Sequence, residues 1–357
     1  MKELIDRAPA RTRRALLKDA IRLLGAGAAA QLGSTAWVGS RAFAQTITRL
    51  DEEQDSGSVL VMLGTQGGPS VNLRRSETAS AVVIDGVPYL LDCGYGTVRA
   101  LVQSGIGIGV PNVFITHLHD DHTIDLAALL SLQWTGRRME PTAVYGPYGT
   151  KALVGGALEF FKGNTEIRIV DEVRSVRPED LFSGHDIEAT SKPTKAFEDD
   201  RVRILTVENT HFPERAMAKM PYRSLAYRFD MADRSIVFSG DTAYSKNLVE
   251  LARGADIFVC EAMDVAQHDR LAARAKEAAE RGEANAGILR HVVETHSTTE
   301  QVGRMAAEAG VNTVVLYHLL PGSNGPLNRE LQDTTYIAGV NKFFDGEVIV
   351  GRDQMRL

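Results

Sequence analysis

The chain has 357 residues, 44% of them hydrophobic and 24% charged, with a formal net charge of −6. This is an ordinary globular composition, with apolar material for one large core or two small ones. The acidic balance gives no long-range steering toward nucleic acid.

Residues 1–44 stand apart from the rest. Thr12-Arg13-Arg14-Ala15-Leu16-Leu17-Lys18 precedes an Ala/Leu/Gly-rich stretch from Ile21 to Val38, and Ala42-Phe43-Ala44 follows. These are a charged n-region, a weakly apolar h-region and an A-x-A cleavage site. The arginine pair before Leu-Leu-Lys resembles a twin-arginine export signal, with Leu16 where Phe is commoner. We expect export by the twin-arginine machinery, cleavage after Ala44 and a periplasmic or secreted mature protein comprising residues 45–357. An uncleaved anchor helix is the other reading, but Arg22, Gln31 and several glycines make this stretch a poor permanent span. The segment holds eight Lys/Arg and three Asp/Glu, so the remainder carries a net charge of −11. No second apolar run is long enough to cross a bilayer, so the mature form is not expected to be membrane-embedded.

From residue 57 the pattern is strand-rich. Ser58–Gly64, Ala79–Asp85 and Val87–Asp92 read as short strands, the last two joined at Gly86. A helix is expected at Thr97–Ser104 and a buried strand at Asn112–Thr116. Further on, helices are expected at Ile124–Gln133, Lys151–Phe161, Lys246–Arg253, Val265–Arg281 and Thr298–Ala309. Strands are expected at Val202–Val207, Leu225–Phe229, Ser235–Phe238, Asp256–Val259, Thr313–Leu316 and Val348–Val350. The alternation predicts a layered α/β protein. Residues 163–200, charged and holding Pro178 and Pro193, read as an insertion or loop region. Cys93 and Cys260 sit in apolar strand-like contexts, and both a disulfide and two buried thiols fit them.

The chemistry concentrates in Thr116-His117-Leu118-His119-Asp120-Asp121-His122, after an apolar strand and before an apolar helix. On an extended strand His117 and His119 point the same way, and the following turn brings Asp121 and His122 to the same pocket. Imidazole and carboxylate donors suit Zn(II), without excluding Mn or Fe. A polar loop that merely happens to carry histidines does not account for three of them and an aspartate at this spacing.

H-x-H-x-D-H after a strand resembles the signature of the metallo-β-lactamase superfamily. That resemblance implies an αββα sandwich of two mixed sheets flanked by helices, and a binuclear zinc hydrolase. His211 in Asn209-Thr210-His211, Asp241 in Ser239-Gly240-Asp241 and His318 in Leu316-Tyr317-His318 look like the remaining ligands. By resemblance, His117, His119 and His211 hold one zinc, Asp121, His122 and His318 hold the other, and Asp241 bridges. His185, His268 and His291 read as surface or structural.

Other segments are similar to the ribonuclease Z and arylsulfatase-like branch: Leu63-Gly64-Thr65 with Gly67-Gly68-Pro69, Leu91-Asp92-Cys93-Gly94, Tyr145-Gly146-Pro147, Cys260-Glu261-Ala262 and His296-Ser297-Thr298. The resemblance runs from about residue 58 to 320. Two departures turn the expectation from RNA toward small anionic esters. Pro69-Ser70-Val71-Asn72-Leu73-Arg74-Arg75 lacks the lysine of the ribonuclease Z loop, and no tRNA-gripping arm is evident.

The implied reaction is hydrolysis of a phosphodiester or aryl sulfate by a metal-bridging hydroxide. Asp121 would orient the hydroxide, and His296, oriented by Glu261, would protonate the leaving group. Arg223 is a candidate anion contact, and Trp134, Phe212 and Tyr222 are candidate pocket walls. Lactone or β-lactam hydrolysis, a ribonuclease Z-like endonuclease and a non-catalytic metal-binding protein are the alternatives. Branch relatives also suggest a possible homodimer. If residues 1–44 direct export, replacing Arg13 and Arg14 together by lysine retains full-length protein in the cytoplasm. Fractionation with an antibody checks this, and a cleaved, exported double variant would contradict it.

Overall fold

A strand buried along nearly its whole length needs cover on both faces, and Ser58–Gly64, Ala79–Ile84 and Ile257–Met263 are of that kind. The computed structural model describes residues 57–69, 71, 73–320 and 332–357; the expected export segment lies outside the described residues. Among the described residues, one sheet runs in chain order through β1 (Ser58–Gly64), β2 (Ala79–Ile84), β3 (Val87–Leu91), β4 (Asn112–Phe114), β5 (Thr142–Gly146) and β6 (Phe182–Asp186). Its first three strands are antiparallel and the rest parallel. The second sheet contains β7 (Thr194–Glu198), β8 (Val202–Glu208), β9 (Leu225–Met231), β10 (Ser235–Phe238), β11 (Ile257–Met263), β12 (Thr313–Leu320) and β13 (Glu347–Val350), also adjacent in chain order. It is antiparallel from β7 to β10 and parallel beyond.

Alternation along the strands divides the interior into three cores. Leu60, Met62, Tyr89 and Phe114 of the first sheet meet Tyr227, Phe229, Phe238 and Tyr317 of the second between the sheets. The intervening residues Val61, Leu63, Leu90 and Val113 face outward and are covered by α1 (Thr97–Gln103), α3 (Leu126–Thr135) and α4 (Thr150–Phe160); α2 (Asp120–Thr123) lies between the first two of these. The outward residues of the second sheet, among them Phe258, Val314 and Leu316, pack under α7 (Lys246–Leu251), α10 (Thr299–Ala309) and α11 (Asp333–Val340). The expected αββα sandwich is therefore the observed fold. Cys93 and Cys260 are free and buried in the two outer cores, with both sheets between them.

Residues 163–200 are more ordered than expected. They hold most of α5 (Lys162–Asp171), the sheet-edge strand β6 and the edge strand β7. Ser183-Gly184-His185-Asp186 carries no β-forming residue, and pairing with β5 outweighs that weak preference. The helix expected at Val265–Arg281 is α8 (Val265–Glu280). It pairs with an unexpected second helix, α9 (Ala286–Thr295), which leads directly into His296.

The chain end helps to place the site. Leu60 and Leu357 exchange backbone hydrogen bonds, which lays the tail along the edge strand β1. Asp353 accepts from Thr65 N at 3.0 Å and Thr65 Oγ1 at 2.7 Å, fixing the turn that leads to Gly67 and Gly68.

Candidate metal centre

The candidate ligands lie at strand ends on one edge of the sandwich. His117 and His119 follow β4, and His119 is still extended (φ −68°, ψ 154°) before α2 turns the chain back and presents Asp121 and His122. His211 follows β8 and Asp241 follows β10. His318 lies within β12, where Glu261 pairs with Tyr317 and Ala262 with Leu319, so it is the extra residue of a bulge, with φ 40°. A bulge re-aims a side chain. Gly67 has to lack a side chain here, because a Cβ would approach His318 Nδ1 to 2.6 Å.

Two groups result. His117 Nε2 is 2.9 Å from His119 Nδ1, and His211 Nε2 is 3.2 Å from the same atom. Two donors on one tetrahedral zinc stand roughly 3.3 Å apart at Zn–N distances of about 2.0–2.1 Å, so this triad suits a single ion. In the other group His318 Nε2 is 3.3 Å from Asp121 Oδ2 and 3.1 Å from Asp241 Oδ2, while His122 Nε2 is 3.3 Å from Asp241 Oδ1. Asp241 also reaches the first group, with Oδ2 3.8 Å from His117 Nε2. His122 Nε2 and Asp241 Oδ1 are buried, and although 3.3 Å apart they are not aligned as a hydrogen bond, so neither has such a partner among the described residues. Such orphaned atoms are costly unless a cation meets them. The donor set therefore fits divalent metal ions.

The two groups differ electrically. Burial, and then the other imidazoles, hold His117 and His211 well below the usual histidine range, and His119 is lowered by burial. Burial opposes charge on His122 and His318 as well, but Asp241 and Asp121 outweigh it. His122 rises well above its ordinary value and His318 is pushed up to about 10. Burial alone would raise Asp121, but His122 and His318 hold it at about 2. Without an ion, protonated His122 and His318 thus balance two buried carboxylates.

Neighbouring groups fix the ligands. Asp92, with φ 58°, accepts from Thr116 N at 2.8 Å and lies 2.9 Å from His122 Nδ1, so it sets that ring's orientation. Sequence reasoning did not assign Asp92 a role; its signal was a strand-end aspartate in Asp92-Cys93-Gly94. Gly68 N donates to Asp121 Oδ2 at 3.1 Å. His296 Nδ1 is 2.7 Å from Glu261 Oε2, and Glu261 Oε1 accepts from Thr242 N.

Three further candidate residues have neighbours that the sequence did not show. Arg223 Nε lies 3.4 Å from Glu208, and its Nη1 donates to the Met220 and Tyr222 carbonyls. Trp134, in the last turn of α3, is buried, with Nε1 donating to Val176 O and Arg174 over its ring. His291, read as surface or structural, packs in the centre, its ring 5.0 Å from His211 and 5.9 Å from His296. Burial lowers it to about 4. Phe212 and Tyr222 do line the cleft beside the centre. His185 stacks on Tyr145 and His268 contacts Val293 O, both away from it.

The family described as Beta-lactamase superfamily domain matches residues 89–319. The chain belongs to that superfamily. Within it, the chain is similar to ribonuclease Z of Mycobacterium sp. (strain KMS), 29% identical over 270 residues, 73% of this chain and 84% of that protein. The fold is similar to that of the short form of human tRNase Z, with a TM-score of 0.57 at 21% identity over 84% of this chain and 98% of the other. It is equally similar to YhfI of Bacillus subtilis, with a TM-score of 0.57 at 16% identity over the same shares.

These charges make metal uptake by this superfamily member pH-dependent. The His117 triad is already neutral, whereas His122 and His318 must each lose a proton to bind an ion. Loading at pH 7 should therefore release about two protons, measured by calorimetry in buffers of different ionisation enthalpy; release of none would contradict the assignment. His318 also stabilises the metal-stripped protein. A raised histidine contributes fully below its unfolded pKa of about 6.5, and the contribution is lost as pH rises through about 10.

Proposed function

We propose that this protein is a metal-dependent phosphodiesterase holding two divalent ions, zinc first and manganese or iron as alternatives. The observation that carries the reading is the shared carboxylate Asp241, in reach of both ligand groups, beside the separate His296–Glu261 pair. His117, His119 and His211 would hold one ion, Asp121, His122 and His318 the other, and Asp241 would touch both. Such a pair of ions brings the pKa of bound water from about 15.7 to around 7 and offsets charge on the ester oxygens.

The residues of the chain do the rest. Asp121, whose Oδ2 accepts from the Gly68 amide, would orient the attacking water and accept its proton. The water oxygen bonds to phosphorus, and the P–O bond to the leaving group breaks with its electron pair. The leaving oxygen takes a proton from His296. Nδ1 of His296 is bound to Glu261, so Nε2 is the end that donates. Glu261 holds that ring in one orientation and is itself anchored by the Thr242 amide.

Similarity to enzymes named ribonuclease Z favours phosphorus over sulfur. We take the substrate as a small phosphodiester rather than RNA, because the chain outside residues 1–44 is acidic and its residue 69–75 loop lacks the expected lysine. Cleavage of precursor tRNA is the second reading, favoured by the names of the relatives. We also propose a periplasmic or secreted location, on the segment at residues 1–44.

With both ions supplied, the protein should hydrolyse bis(para-nitrophenyl) phosphate in preference to para-nitrophenyl sulfate. Faster sulfate turnover would make it an arylsulfatase, and turnover of neither would favour lactones or a non-catalytic role. His296→Ala should lower turnover by about 10²-fold or more on phosphodiesters with poor leaving groups and much less on nitrophenyl esters. Its metal content should stay full; loss of metal would make His296 structural.

A further inference from the structure

One cleft of about 730 Å³ opens onto the centre, with His119 and His291 in its lining. That is the size of an ordinary small-molecule pocket of roughly 300–1,000 Å³. Its walls are apolar, formed chiefly by Leu118, Leu153, Phe212, Met220 and Tyr222. Phe212 packs directly on the floor, its ring 5.5 Å from His119.

The charged groups in this lining have one sign. Among the described residues no carboxylate lines the cleft, and its charged side chains are Arg215 and Arg290. Arg215 is paired with Glu294. Arg290 is exposed and has no carboxylate partner among the described residues. This is a cationic rim on an acidic protein. Arg290 is carried by α9, which also places His291 in the lining and leads into His296, whereas Arg215 lies in the short helix Glu214–Met217. His296 is not itself in the lining, but its ring lies 5.9 Å from that of His291, which is.

We infer that the cleft holds the leaving group, and that the preferred leaving group is an aromatic alcohol carrying a second anionic substituent, such as a carboxylate or phosphate, read by Arg290. This rests on the phosphodiesterase reading. The aromatic body lies against Phe212, Tyr222 and the leucines, its ester oxygen lies near His296, and the anion reaches the rim. A planar guanidinium is suited to such an anion. A nucleic-acid strand would need a basic track over several phosphates, and this cleft offers two arginines.

The test uses metal-loaded protein and two substrates with the same retained group, methyl para-carboxyphenyl phosphate and methyl para-nitrophenyl phosphate. Comparing variant with wild type on each ester cancels their intrinsic reactivities. Arg290→Ala should lower kcat/KM for the carboxyphenyl ester about fivefold more than for the nitrophenyl ester, with Arg290→Lys restoring part of the loss. Arg253→Ala, which changes a guanidinium paired with Glu250 and outside the cleft lining, should keep the wild-type ratio. A ratio within twofold of wild type in Arg290→Ala would overturn the inference while leaving the phosphodiesterase reading intact. Failure of wild type to cleave either ester would overturn that reading first and this one with it.

Discussion

Two carboxylates, Asp121 and Asp241, are buried at one edge of the sandwich within hydrogen-bonding distance of the same imidazole, His318. Two anions placed so closely away from water need positive charge between them. The neighbouring groups are arranged to meet that need. His122 and His318 carry the charge in the ion-free protein, and divalent ions would displace their protons. Asp92 aims His122, Gly68 donates to Asp121, and the bulge in β12 turns His318 inward. A neutral triad of His117, His119 and His211 lies alongside, ready to bind without losing protons.

The fold explains how residues so far apart in sequence meet. The first sheet supplies His117 through His122 from the end of β4, and the second supplies His211, Asp241 and His318 from the ends or margin of β8, β10 and β12. The aromatic core between the sheets, with Phe114 against Tyr227 and Phe229, locks the two sheets together. The edge geometry therefore rests on a dry, close-packed interior rather than on mobile loops. The tail extends this support, because Asp353 fixes the turn whose glycines close over His318 and Asp121.

Much of this was legible in the sequence, because its strongest signals are local. H-x-H-x-D-H compresses four donors into six residues, and runs such as Asn112–Phe114 announce strands covered on both faces. What escaped notice depends on tertiary pairing. Strand β6 is held by β5 rather than by its own residues. His291 read as surface or structural, because its proximity to His211 arises only once α9 folds back beside α8. Arg223 looked available until Glu208 and two carbonyls claimed it. Asp92 lacked a partner in the sequence because His122 lies thirty residues on.

The most direct test of a paired metal centre is anomalous diffraction from crystals of the protein grown with zinc or manganese. The account predicts two peaks per chain. One should lie among His117, His119 and His211 and the other among Asp121, His122 and His318, with Asp241 in contact with both. A single peak, or peaks only at the protein surface, would contradict it.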